Sequence, residues 1–277
     1  MAENSNIEWT THTFNPWIGC TKVSAACDDC YAEAWDKRFN GERWGPKAAR
    51  TRTKPGNWRK PLKWNRECPI MGPRPRVFCA SLADVFDNHK SIKKEWRDDL
   101  WRLIRGTVNL DWLLLTKRPQ NIARFLPSDW GEDGYHNVWL GTTVENQVEA
   151  NRRIPALLNV SARIHFLSCE PLLGPLDLPN IRVNWCSTPI DAFTGKDEKG
   201  VQRFGHSLDW VITGGENSLN FRPVDEDWFR ALRDQCDQYH VPFLLKQKEG
   251  RNQREIKAKG RELDGVVHDE YPEPTQT

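Results

Sequence analysis

The chain has 277 residues and a mass of 32.2 kDa, above the commonest domain size but within the reach of one α/β barrel, which runs to about 250 residues. Hydrophobic residues make up 38%, mean hydropathy is -0.73, and no apolar run approaches the roughly 20 residues of a membrane helix, which excludes a bilayer-spanning protein. The start, MAENSNIEWT, lacks the basic and apolar regions of a secretory signal, so we expect a soluble cytoplasmic protein whose eight cysteines serve metal or redox chemistry rather than disulfides.

After a first strand-like stretch, GCTKVSAACDDCYAEAW (19 to 35) places Cys20, Cys27 and Cys30 at the opening of a helix expected over about 28 to 39. A basic excursion follows over residues 40 to 75. The net charge of +2 conceals it: residues 36 to 66 hold eleven Lys/Arg against two acidic residues, which leaves 29 against 36 elsewhere. Trp44, Trp58 and Trp64 stand among these cations, with Gly and Pro that argue against regular structure. Interleaved cations and aromatic rings are the footprint of phosphate contact plus base stacking, and point to a nucleic acid or nucleotide partner through residues 36 to 66. A solvated loop is the plainer alternative.

Six near-continuous apolar runs come next: VFCASL (77 to 82), DWLLLT (111 to 116), NVWLGTTV (137 to 144), RIHFLSC (163 to 169), DWVITGG (209 to 215) and PFLLK (242 to 246). They have the character of parallel strands buried on both faces. Helices are predicted over about 28 to 39, 91 to 105, 118 to 126, 145 to 158 and 225 to 239. Most of the fourteen tryptophans are expected to pack such helices onto the sheet. Residues 172 to 208 lack periodicity and read as a lid or side insertion, and the charged tail, residues 251 to 277, is expected to fray toward EYPEPTQT. The organisation is therefore one (β/α) domain over 1 to 250 with insertions at about 40 to 75 and 172 to 208.

Strand alternating with helix implies βαβ units, in an open doubly wound sheet or a barrel. No Gly-rich dinucleotide fingerprint follows the first strand. Polar residues follow nearly every strand: Ser81 and Asp84, Thr116-Lys117-Arg118, Thr142-Thr143 with Glu145, Ser168 with Glu170, Gly214-Gly215-Glu216, and Lys246-Gln247. In a barrel these ends ring the mouth that carries the active site. Helix capping is the structural alternative for Ser81, Thr116 and Thr143. Lys117 and Arg118 suit a cofactor carboxylate or a phosphate. Glu170 enters the mouth before Pro171, with an ion pair to an arginine such as Arg163 as its structural alternative. Gly214-Gly215 needs a close backbone approach, Lys246 and Gln247 can close the ring by hydrogen bonding, and Cys169 is either a hydrogen donor or a small buried thiol. Cys68, Cys79, Cys186 and Cys236 read as core or loop residues. No H-E-x-x-H pair, P-loop or nucleophile elbow is present.

Three thiols at C-x6-C-x2-C spacing have three readings. They are part of a zinc site completed by His12, Cys68 or Cys79, or the ligands of a cubane iron–sulfur cluster with one open iron, or small buried residues. The zinc reading carries a zinc-stabilised nucleic-acid-binding module as the alternative function. The cluster reading needs no fourth ligand, and an open iron at a barrel mouth is what S-adenosylmethionine requires for chelation.

The strings IEWTTHTFNPWIGCTKVSAACDDCYAE, FCASLADVF, LLTKRP, VWLGTTVENQ, RRIPALL, FLSCEPLLGPL, DWVITGGEN, FRPV, LRDQC and VPFLLKQ resemble a phage-associated three-cysteine-motif family of unknown function (DUF5131-like), in order over about residues 7 to 250. That family is itself similar to radical S-adenosylmethionine enzymes. The resemblance implies a partial TIM-like (β/α) barrel of the radical SAM type and a [4Fe-4S] cluster on Cys20, Cys27 and Cys30. It also implies an enzyme that binds S-adenosyl-L-methionine, generates a 5′-deoxyadenosyl radical and takes electrons from a reductant protein, with phage DNA modification as the setting. Departures accompany it. The usual motif is C-x3-C-x2-C with an aromatic before the third cysteine; here Asp29 has that place and Tyr31, the candidate adenine contact, follows it. The usual Gly-Gly-Glu follows the second strand, whereas here Glu216 comes late and the second strand leads to Ser81 and Asp84. The cofactor set is accordingly Tyr31, Ser81, Asp84, Lys117, Arg118, Thr142, Glu145 and Glu216, with Glu170, Glu216 and Cys169 as catalytic candidates.

Overall fold

A computed structural model describes residues 3–68 and 72–272. The chain begins with β1 (His12–Phe14), followed by a small antiparallel ribbon of β2 (Trp17–Ile18) and β3 (Thr51–Arg52). The main strands are β4 (Arg76–Cys79), β5 (Asp111–Thr116), β6 (Val138–Thr143), β7 (Ile164–Cys169), β8 (Trp210–Gly214) and β9 (Phe243–Gln247). With β1 they form one curled parallel sheet of seven strands, half of a barrel, in the order β1-β4-β5-β6-β7-β8-β9. A hairpin of β10 (Glu262–Leu263) and β11 (Val266–Val267) follows. The strand order never reverses, so the sheet winds one way as in a barrel, not outward from a switch point as in a doubly wound fold.

Alternation along each strand separates two cores. Val77, Trp112, Leu114, Leu140, Leu167, Val211 and Leu245 face the helical layer, while Phe78, Leu113, Trp139, Phe166, Trp210, Ile212 and Leu244 fill the concave interior with Trp9. Gly141 is required there, since a Cβ would stand 2.4 Å from the Phe166 ring. Helices α1 (Tyr31–Arg38), α2 (Pro55–Trp58), α3 (Lys60–Arg66), α4 (Lys94–Arg105), α5 (Ile122–Phe125), α6 (Gln147–Leu158), α7 (Glu226–Tyr239) and α8 (Gln253–Lys259) complete the chain. In α4 the buried Arg97, Leu100, Trp101, Leu103 and Ile104 recur at helical spacing and form the face turned to the sheet. Helix N-caps come from Asn146 (α6), Asp225 (α7) and Asn252 (α8) rather than from Ser81, Thr116 or Thr143.

Three sequence expectations are corrected. The basic excursion is partly helical, because Pro55 and Pro61 sit in the first turns of α2 and α3, where proline's missing N–H is no loss. Residues 172–208 form no lid. Leu178, Ile181, Ile190, Phe193 and Phe204 are buried in the outer core, so the insertion takes the place of the helix missing between β7 and β8. The tail does not fray through residue 272. Leu263 is fully buried, Trp210 Nε1 donates to Glu270 O at 2.9 Å, and Tyr271 Oη donates to Glu8 O at 2.9 Å. Arg76 also lies 3.8 Å over the Tyr271 ring, so the two chain ends meet across the open side of the half barrel. Residues 273–277 lie outside the described residues. No described helix is long and apolar enough to cross a membrane.

Candidate active site at the barrel mouth

A cavity of about 990 Å³ opens at the C-terminal strand ends and reaches the inner aromatic layer at Trp9 and Phe78. Cys20, Cys27 and Cys30 all line it. All three are free, Cys27 buried and the others half-buried. The local chain path brings them there. Gly19 has φ +117°, and a Cβ on it would stand 2.5 Å from Arg43 O, so only glycine lets the chain pass into Cys20. Its N–H donates to Leu82 O at 3.0 Å, joining the loop to the end of β4. A 3-10 turn, Ala25–Cys27, presents Cys27, and Cys30 is the N-cap residue of α1.

Buried charges hold the loop on the β4 and β5 side. Arg118 Nη1 donates to Asp84 Oδ2 at 2.8 Å and lies 3.6 Å from Cys20 Sγ, while its Nη2 donates to Thr21 O at 2.7 Å. Asp84 also accepts from Thr116 Oγ1 at 2.8 Å. Arg50, fully buried, donates to Asp87 at 2.9 Å and to Thr21 Oγ1 at 2.6 Å. Burial, reinforced by Asp84, pushes the Cys20 thiol up to about 11 against the pull of Arg118. Cys20 is therefore a neutral thiol at pH 7 until something takes its proton.

Two further anchors come from other strand ends. Glu145, fully buried after β6, pairs with Arg153 at 2.8 Å and accepts from Ala26 N at 3.3 Å. Arg222, paired with Glu216 beyond β8, donates to Ala25 O at 3.0 Å and meets Asp28 at 3.3 Å. The thiol loop is thus set by side chains from β5, β6 and β8.

The β7 to β9 side is more open. Lys246 Nζ meets Glu170 Oε1 at 2.5 Å, with 19% and 17% side-chain exposure. Glu170 thus pairs with Lys246 and not with Arg163. Tyr31 Oη donates to Ser81 O at 2.7 Å, and Ser81 Oγ accepts from Asn15 Nδ2 at 3.0 Å. Lys117 is half-buried in the cavity wall, and its ammonium forms no ion pair with a described residue. Trp9 also stands on the wall; its indole N–H is enclosed and has no hydrogen-bond partner among the described residues. Gly215 serves the chain itself, because a Cβ there would stand 2.3 Å from Glu249 N.

Of the residues singled out from sequence, Tyr31, Ser81, Asp84, Lys117, Arg118, Glu170 and Glu216 join the three cysteines on this cavity. Thr142, Glu145 and Cys169 do not. Thr142 belongs to the outer face and donates to Thr116 O at 2.8 Å, and Glu145 is enclosed with Arg153. Cys169 is fully buried in the outer core, which pushes its thiol up and agrees with the small buried thiol of its two readings. The inward hydroxyls are Thr143 and Ser168, one position away in parity, on the face of Trp139 and Phe166. Asn6, Asn217, Lys257 and Arg261 also line the cavity and carry no local signal.

His12, Cys68 and Cys79, the possible fourth zinc ligands, do not line this cavity. His12 stacks on Trp64 at 4.2 Å, and Cys79 lies in the outer core. Among the described residues, no three His, Cys, Asp or Glu side chains gather in the shell of a single metal ion. Iron held in a cubane is spread over several metal atoms and accepts thiolates set wider apart than one tetrahedral zinc does.

The family described as protein of unknown function (DUF5131) matches the chain over residues 4–272, and the chain belongs to it. No curated protein and no solved structure gives a match.

Proposed function

We propose that this member of the family is a radical S-adenosylmethionine enzyme that binds a [4Fe-4S] cluster through Cys20, Cys27 and Cys30. One observation carries the reading: three free thiols of a single loop line the C-terminal mouth of a curled parallel sheet, and the candidate fourth ligands lie elsewhere. The donor set fits a cubane with one iron left for the amino and carboxylate groups of the cofactor. When bound, the cluster supplies one electron to the sulfonium, whose bond to C5′ breaks to give methionine and a 5′-deoxyadenosyl radical, the electron being replaced by a reductant protein.

The chain's own residues hold and orient. Lys117, without an ion pair among the described residues, is a cation available to a carboxylate, and Glu170 is a partly exposed carboxylate available to an amine in exchange for Lys246. Thr143 and Ser168 offer inward hydroxyls to a ribose. Phe78 and Trp9 form a water-excluding floor. Asp84 and Arg118, saturated by one another, serve better as the frame of Cys20 than as cofactor ligands.

Anaerobic reconstitution with iron and sulfide, followed by iron and sulfide quantitation and mass spectrometry for 5′-deoxyadenosine, tests this. We expect iron retention that Cys27→Ala abolishes, and 5′-deoxyadenosine once a reductant is added. One zinc per chain, no iron and no 5′-deoxyadenosine would sink the reading and favour the zinc-stabilised nucleic-acid-binding module.

A further inference from the structure

Helix α1 starts at Cys30 and carries Tyr31, Trp35 and Phe39 four residues apart, on one side of the helix and its C-cap. They are 53%, 36% and 61% exposed. The Trp35 and Phe39 rings lie 4.9 Å apart, and Tyr31 reaches the cavity wall, where Trp44 also stands. The helix packs through the flank beside this row, by Ala32 and by Asp36, which Arg43 holds. An exposed row of flat rings leading from the surface to the thiols is unlike the rest of this molecule, whose tryptophans are mostly buried.

Two cations near the row are available as well. Arg38 is exposed on the same helix and Lys47 is exposed just beyond Trp44, whereas Lys37 is paired with Glu33 at 2.7 Å. Across residues 36 to 66, Arg43, Arg50 and Arg52 pair with Asp36, Asp87 and Asp99, whereas Arg38, Lys47, Lys54, Arg59 and Arg66 form no ion pair with a described residue. Two of the tryptophans that the basic segment offers for stacking are taken. Trp64 is buried against His12, and Trp58 lies against Phe14 with Arg52 over its ring.

We propose that α1 is the docking surface for a single-stranded nucleic acid. Bases stack on Phe39 and Trp35, phosphates meet Arg38 and Lys47, and one base passes Tyr31 into the cavity. Single strands are the fitting class because stacking requires free base faces, which a duplex hides between its own pairs. Exposed Asp28 and Asp29 at the cavity end repel phosphate there and leave that end to a neutral base. The inference deepens the function proposed above by naming its substrate class, but the binding itself requires no cluster.

Fluorescence anisotropy with labelled oligonucleotides of about 12 nucleotides tests it on the full chain, with and without reconstituted cluster. The arms are DNA, RNA of the same sequence, and the duplex. We expect the single strands to bind, the duplex to bind at least about tenfold more weakly, and the better of the DNA and RNA arms to identify the source. The double variant Trp35→Ala, Phe39→Ala should weaken binding at least about 5-fold, since loss of a single stacked base is worth between about 5-fold and about 150-fold. Arg38→Glu, Lys47→Glu should weaken it and lower the salt slope by about 0.7 for each phosphate that is no longer neutralised. Unchanged circular dichroism melting certifies that both surface variants fold. Equal binding by the double variant, a preference for duplex, or no binding overturns the proposal. So does a double variant that binds oligonucleotides normally but is reduced more slowly by a flavodoxin, which makes the row an electron donor's dock. Stripe-dependent binding without 5′-deoxyadenosine leaves this inference standing and removes the catalytic one, and the converse result separates them the other way.

Discussion

The two sides of the mouth use charge differently. On the β4 to β6 side, Arg118 with Asp84, Arg50 with Asp87 and Arg153 with Glu145 are all at most 7% exposed and enclosed by protein. On the β7 to β9 side, Lys246 with Glu170 and Arg222 with Glu216 reach 19% and 34% exposure on the cation. Enclosed pairs fix geometry, since losing one partner strands the other in a dry interior. Pairs that water reaches exchange partners at smaller cost, because solvent screens part of the charge in both states. The first side is a frame for Cys20 and Thr21, and the second is where a ligand can substitute for protein.

The sharpest way to break this comparison is to remove one cation from each side. Arg118→Met should lose about 3 to 5 kcal/mol in urea unfolding, because Asp84 is left uncompensated. Lys246→Met should lose less, because water reaches the carboxylate of Glu170 that remains. Equal losses would abolish the distinction.

A control away from the mouth comes next in size. Burial pushes the Asp111 carboxyl, at the start of β5, up to about 6 against the pull of Arg74 and Arg76. A raised acid binds its proton more tightly in the folded state, so stability should rise as pH falls from about 6 to about 4. Above that window the charge costs about 3 kcal/mol. Asp111→Asn should therefore stabilise near neutral pH and lose its advantage by about pH 4 in thermal melts; an advantage that grows on acidification contradicts the assignment. Gly215→Ala probes the open side's backbone and should cost about 1 to 3 kcal/mol, because the methyl meets Glu249 N.

The smallest effect refines the frame itself. In metal-free protein, alkylation of Cys20 followed by mass spectrometry should keep accelerating up to about pH 11. Arg118→Met should move that rise upward, since the guanidinium opposes the shift. A plateau near the ordinary thiol range would mean that the loop opens to water.

The strands were legible because both faces are buried. DWLLLT predicts 111 to 116 and β5 has those bounds, and the other main strands agree within a few residues. The helices of the basic segment were not, since Pro55 and Pro61 read as breakers when placed in loops and as starters when placed in a first turn. At the site, the thiols and most charged strand ends could be named from local pattern. Which of two adjacent residues faces inward could not be settled without the strand's register: Thr142 and Thr143 are equally polar, and only the parity set by Trp139 separates them. Glu145 and Arg222 belong to neither category, because their contacts with Ala26 and Ala25 join positions far apart in sequence.

The meeting of Glu8 and Tyr271 has a bearing on size. Together with Arg261, the segment before β1 forms a flank of the hollow, and single bridges, Glu3 with His12 and Leu244 with Asp269, tie the two ends to the seven-stranded sheet. A chain shortened to end near residue 252 would keep its strands yet lay Trp210 and Leu244 open to water. It would also widen the hollow at the side, where the two extremities of the polypeptide now wall it.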